Sequence, residues 1–148
     1  MADAINLQIL DALTTRLLTI TGIGTRVYDY YRDESEIEGK PAICFFATDE
    51  DVAGEPIATT RRKLWDMTVG LVAYVEGGDV RAKAYGLVKD IETVVEQAPP
   101  TLGVANVEQA RVIGKMVTNM GSNDPQFGIK GMAEVTLLVR YRTNIGAP

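Results

Sequence analysis

Histidine is absent from the 148 residues, and cysteine occurs once, at Cys44. Without histidine the commonest general base near neutral pH is missing. So are Ser–His and Cys–His nucleophile arrangements and the usual zinc and iron ligands. A lone cysteine makes neither an intrachain disulfide nor a thiolate metal cluster, and within the apolar stretch AICFFA (42–47) it reads as a buried, inert thiol. No apolar run approaches the ~20 residues that a membrane helix needs. The opening MADAINLQILDALTTRLL carries acids where a signal peptide carries bases, and it has no continuous apolar centre, so synthesis in the cytoplasm is expected. There is no internal repeat and no low-complexity segment. Carboxylate-only catalysis is the chemistry that survives these exclusions.

A chain of this length is expected to form a single domain over residues 1–148 that buries roughly 70% of its unfolded surface. Its charge is unevenly spread. Residues 1–60 carry 4 bases against 11 acids, and residues 61–148 carry 11 bases against 9 acids, for a net charge of -5. An acidic protein has little long-range attraction for phosphate, and the bases are scattered apart from Arg61-Arg62-Lys63, so nucleic acid is not expected as the main ligand. The asymmetry fits either a solvated surface or head-to-tail association of identical copies, acidic edge against basic edge.

The spacing of Ile5, Ile9, Leu13, Leu17 and Ile20, with Leu10 alongside, predicts an N-terminal helix capped by Asp3 and stopped at Thr21-Gly22-Ile23-Gly24. Residues 27–31 (VYDYY) predict a short strand, and 42–47 a second one opened by Pro41. The acidic run 33–38 and the segment 49–57 (DEDVAGEPI) read as exposed connections. Alternation is clearest from Trp65 to Glu76: Trp65, Met67, Val69, Leu71, Ala73 and Val75 share one face. The other face is not cleanly polar, because Val72 and Tyr74 lie on it. Asp79 is expected to cap a second helix with the stripe Val80, Ala84, Leu87, Val88, Ile91, Val94 and Val95, ending before Pro99-Pro100. Strands over 107–120 and 132–142 follow. Gly114 marks a bulge or close backbone approach in the first of these, and a turn-rich loop (121–128, GSNDPQFG) separates them. The order α-β-β-β-α-β-β predicts an α+β fold, with two helices packed on one face of a mainly antiparallel or mixed sheet of about five strands. Two helices cover one face of such a sheet. The second face is then wetted or completed by another chain.

Several fragments invite a chemical reading, each with a plainer one beside it. Gly22-Ile23-Gly24 lacks the third glycine and preceding strand of a phosphate loop and reads as a helix stop. Asp49-Glu50-Asp51 lacks the spacing of a calcium loop and reads as a solvated charge run. Asp33, Glu34, Glu36 and Glu38 are not fixed in pairs across a cleft. Trp65, Tyr28, Tyr30 and Tyr31 read as core and sheet residues before a base-stacking platform. Arg61-Arg62-Lys63 is either a solvated strand end that discourages edge aggregation or a contact for a neighbouring acidic loop. No metal, cofactor or catalytic residue is expected.

A succession of local patterns resembles a known family. TGIGTRVYDY ends the first helix, and GKPAICFF follows. A basic step then leads into LWDMTVGLVAYV. The helix AYGLVKDIETVVEQ runs to TLG, and a late strand ends VTLLVRYRT. Over about residues 5–143 this order resembles the tail terminator, or tail completion, proteins of long-tailed bacteriophages and prophages. No single motif is specific. The resemblance rests on order, spacing and the closing Tyr141-Arg142-Thr143. It implies a non-enzymatic virion protein of small α/β subunits in a hexameric ring. The ring caps the tail tube, ends its polymerisation, and offers a surface to head-completion or neck proteins at the head-proximal end of the tail. Partners would be further copies of the chain, the tail tube protein and a neck protein, with no membrane. The family has no signature for ring contacts, so the exposed charged segments supply the candidates: Asp49, Glu50, Asp51, Arg61, Arg62, Lys63, Asn123, Asp124 and Gln126. Two other readings remain beside it: a different neck or head–tail connector protein, and a small carboxylate-using enzyme or ligand-binding domain.

Overall fold

A computed structural model of the chain describes residues 4–30, 41–52, 62–77, 79–119 and 130–144. Apolar residues spaced by four make the first helix, α1 (Ile5–Leu17), and bury Ile9, Leu13 and Leu17 completely. The helix stops before Ile20, which stays buried in a tight turn where its N–H meets the Leu17 carbonyl at 3.2 Å. The N-cap position belongs to Ala4, with no side-chain hydrogen bond; Asp3 lies outside the described residues. Gly22 and Gly24 then take φ of +86° and +60°, the left-handed region that suits glycine after a helix. Arg26 braces this turn, donating to the Gly22 and Pro41 carbonyls, both at 2.8 Å.

Five strands and a second helix follow: β1 (Val27–Tyr28), β2 (Ala42–Val52), β3 (Arg62–Glu76), α2 (Val80–Glu96), β4 (Val107–Asn119) and β5 (Lys130–Asn144). They form one sheet in the order β1-β2-β3-β5-β4. β1 runs parallel to β2, and the other neighbours are antiparallel. The fold is therefore α+β with the predicted element order. Two strands differ from expectation: β1 ends at Tyr28, short of the expected 27–31, and β2 is longer. β2 continues through Asp49-Glu50-Asp51 to Val52, where a connection was predicted, because β3 offers an equally long partner: Asp49 pairs with Thr68 and Val52 with Trp65. Ladder pairing outweighs the poor strand propensity of aspartate and glutamate. A bulge between Ala47 and Asp49 marks where the arm leaves the core.

The main core lies between the helices and one sheet face. There the α2 stripe meets Met67, Val69, Leu71, Ala73 and Val75 of β3 and Val135, Leu137 and Val139 of β5. Each such buried aliphatic side chain contributes roughly 1.5–3 kcal/mol. The second face is not bare. Ala42, Cys44, Val72 and Tyr74 form a smaller buried cluster there with Tyr28, Phe46 and Met132 packed against it. Cys44 is buried in it, as its sequence context predicts. Towards β4 this face opens, and Ile113 and Met116 are exposed.

Two local expectations hold in altered form. Asp79 does occupy the α2 N-cap position, but in a left-handed conformation (φ 57°) without a side-chain hydrogen bond. Of the two readings of Gly114, the bulge is the one observed, and the close backbone approach lies at Gly131. A Cβ there would lie 3.0 Å from Val80 and 3.1 Å from Val75, whereas at Gly114 it would meet only Thr136 at an ordinary 3.7 Å. Gly114 sits instead beside the β4 bulge that follows Val112.

Candidate functional site

Beyond the bulge, β2, β3 and β5 carry the sheet into an arm whose side chains are mostly polar. On the helix side of the arm, the Tyr141 hydroxyl donates to Glu50 at 2.7 Å, and the Trp65 indole N–H donates to the Thr143 hydroxyl at 3.0 Å. The Lys63 ammonium lies 4.6 Å from the centre of the Trp65 ring, a cation–π contact. On the opposite side Arg140 grips Asp66 with two hydrogen bonds of 2.8 and 3.1 Å. Arg142 Nε lies 3.3 Å from Glu108, close enough for charge attraction but misaligned for a hydrogen bond. Burial, then the hydrogen bond and charge of Glu50, raises the Tyr141 pKa above the ordinary tyrosine value. The hydrogen bond and charge of Asp66 raise that of Arg140. Of the closing Tyr141-Arg142-Thr143, Tyr141 thus reaches across β3 to β2, Arg142 lies against Glu108 of β4, and Thr143 bonds Trp65 of β3.

The charged segments singled out by sequence do not lie on opposite edges. Asp51 and Val52 pair with Asp66 and Trp65, and Lys63 follows two positions further along β3, so the acidic run and the basic step share one arm. Arg62 opens β3 opposite Asn144, and Lys63 lies opposite Thr143. Asp49, Glu50 and Asp51 are all exposed. Arg61, Asn123, Asp124 and Gln126 lie outside the described residues, as do Tyr31 and the acidic run Asp33 to Glu38. Among the described residues no three His, Cys, Asp or Glu side chains gather as metal ligands do, and no helix is long and apolar enough to cross a membrane.

A second surface, which the sequence reading missed, lies between α2 and the far half of β4. Two adjoining depressions of about 340 and 290 Å³ share Tyr85 and Val117 and are rimmed by Arg81, Lys89 and Lys115. Tyr85 is 55% exposed and Met116 54%. The one signal in the sequence was an aromatic residue placed off the buried stripe of α2. A third depression, between α2 and the turn after α1, is lined by Glu76, Lys83 and Asp90. Asp51, a candidate for carboxylate chemistry, lines none of the three.

Arg16 was also missed. It is 8% exposed, and its guanidinium donates to the carbonyls of Val94, Val95, Gln97 and Pro99 at 2.8–3.2 Å. A cation on α1 therefore closes the carboxyl end of α2, where carbonyls lack helical partners and the helix dipole is negative. Burial lowers the Arg16 pKa, though a guanidinium keeps its charge at any physiological pH.

The class these features define is an α+β sheet fold with helices on one face, a charged strand arm at one corner, and a basic-rimmed groove beyond the opposite edge. No protein family matches the chain, and no curated protein does. Among solved structures it is similar to a chain of the virion of a native gene transfer agent particle, with a TM-score of 0.48 and 16% identity over 97% of this chain and 99% of that one. A likeness at that level carries no argument about this chain.

Proposed function

We propose that the chain is a structural protein of a phage-like virion, a subunit of the tail-terminator type. Copies form a ring, hexameric in the family it resembles, at the head-proximal end of the tail tube. The ring stops tube growth and presents a surface to a neck or head-completion protein. The observation that carries this reading is the strand arm. Its three strands hold one another through side-chain pairs, yet it exposes Asp49, Glu50 and Asp51 where no core requires them. An exposed charged strand end of this kind suits a repeated contact between copies, with two different patches meeting at each junction. The sequence resemblance over residues 5–143, closing on Tyr141-Arg142-Thr143, supports the same role.

In this reading Asp49, Glu50, Asp51, Arg61, Arg62 and Lys63 belong to subunit contacts, with Asn123, Asp124 and Gln126 facing a partner. The chain needs no cofactor, and nucleic acid is not its main ligand. Native mass spectrometry of the isolated protein, and cryo-electron microscopy of it on cognate tail tubes, test the role. A six-fold species at the tube end is expected. A chain that stays monomeric both alone and with tubes refutes it. Density on the portal side of the neck, away from the last tube ring, would make it a connector instead.

A further inference from the structure

The ring reading leaves open which surface of one copy meets which surface of the next. Resting on that reading, we propose that the acidic end of β2 in one copy docks into the groove between α2 and β4 of a second copy.

The first reason is unspent charge. Glu50 is held by Tyr141, but among the described residues Asp49 and Asp51 have no side-chain hydrogen-bond or ion-pair partner, and Asp51 stands directly across the ladder from another acid, Asp66. Like charges opposite one another destabilise a sheet. On the groove side Arg81 and Lys89 are exposed and have no side-chain partner among the described residues, while Lys115 is shared with Glu92 at 3.3 Å. Unmatched acids on one surface and unmatched bases on another are complementary in sign.

The second reason is position. β2 and β4 are separated by β3 and β5, which at ordinary strand spacing puts them about 14 Å apart. The arm also lies at the Trp65–Tyr141 end of the sheet, whereas Arg81, Tyr85 and Thr118 lie towards the Gly131 end. An arm cannot fill the groove of its own chain, so the match is satisfied only between copies. Contact between two different patches is heterologous and closes into a ring when its rotation allows.

The third reason is apolar surface. Tyr85 stands 55% exposed in the groove, and Val52 is 43% exposed at the end of the arm. An exposed tyrosine beside bases is the kind of anchor on which protein interfaces concentrate their energy.

A charge exchange tests the contact. One chain carries Asp49→Lys with Asp51→Lys, and another Arg81→Glu with Lys89→Glu. Sedimentation velocity and native mass spectrometry at low salt read self-association, and circular dichroism checks that each variant folds. Each variant alone should associate roughly tenfold or more weakly than wild type. The equimolar mixture should recover oligomers that alternate the two chains, because every junction again pairs an acid patch with a basic one. For weak association, Val52→Cys with Tyr85→Cys in a Cys44→Ala background should give a disulfide-linked ladder under oxidation. Wild-type rings that both variants match unmixed, or a mixture that does not recover, overturn this contact while leaving the ring in place. Wild type that stays monomeric at all concentrations and on tail tubes, with no ladder from the cysteine pair, overturns both.

Discussion

Replacing Arg16 probes the joint between the two helices. Its guanidinium accounts for four hydrogen bonds to carbonyls at and beyond the end of α2, and the one to Val95 is fully buried. Arg16→Met keeps the aliphatic stem and removes the head. A buried carbonyl left without a donor costs about 1–3 kcal/mol, while the half-buried ones can turn to water. Loss of the cation beside a helix carboxyl end adds about 0.3–1 kcal/mol, more when partly buried. The expected total is about 3 kcal/mol, which in a domain of this size lowers Tm by roughly 6–12 °C. Arg16→Lys keeps the charge without the planar fork that reaches both sides of the cap, and should lose about half as much. Urea and thermal unfolding followed by circular dichroism measure both. If the methionine variant loses less than about 1 kcal/mol, or lysine does no better than methionine, the cap is not what holds the end of α2.

Three further outcomes follow from particular contacts. Gly131→Ala should destabilise by about 1–3 kcal/mol, since its Cβ would press on two β-branched core residues, whereas Gly114→Ala should be neutral or slightly stabilising; equal effects in urea unfolding would place the close approach elsewhere. Tyr141 has a folded pKa raised by burial and by Glu50, so its contribution is fully present below the unfolded tyrosine pKa of about 10 and is lost as pH rises from there towards the folded value. Stability measured from pH 8 to 11 should therefore fall more steeply in wild type than in Tyr141→Phe, with Glu50→Gln between them; parallel curves would contradict the shift. Finally, reversing Arg61, Arg62 and Lys63 to glutamate should leave the chain folded but reduce ring formation, and oligomerisation unchanged across a range of salt would make the cluster a solvated strand end.

The parts of this fold legible in the sequence are those set by local periodicity. The alternation from Trp65 to Val75 and the α2 stripe each name a buried face, and burial follows them at every position but Trp65 and Val94, which are half-buried. Val72 and Tyr74 on the wrong side of β3 likewise foretold a second, smaller cluster. Features that depend on what arrives from elsewhere in the chain were not legible. Asp49-Glu50-Asp51 became strand because β3 was long enough to pair with it. Arg16 looks like any polar position on an amphipathic helix until α2 ends beside it. The groove is made by two elements whose separation no pattern encodes, and the register that sets Asp51 opposite Asp66 is fixed by no local signal.

That last finding has an energetic consequence at Asp51. With Asp66 directly opposite on β3, the two carboxylates repel, and the grip of Arg140 on Asp66 neutralises only part of the charge. Such exposed cross-strand pairs are worth about 0.2–1 kcal/mol in either direction, so Asp51→Lys should turn a mild repulsion into an attraction and stabilise the isolated chain by roughly 0.5 kcal/mol. The same change places a cation where the docking contact needs an anion, so self-association should weaken in the same variant. A solvated charge run with no partner has no reason to show opposite signs in the two measurements. Urea unfolding of the monomer and sedimentation velocity at matched salt give both numbers. If stability and association fall together, Asp51 supports its own sheet and not a neighbouring copy; if stability rises while association weakens, the acid sits at a local cost in a place where it meets a base on the next subunit.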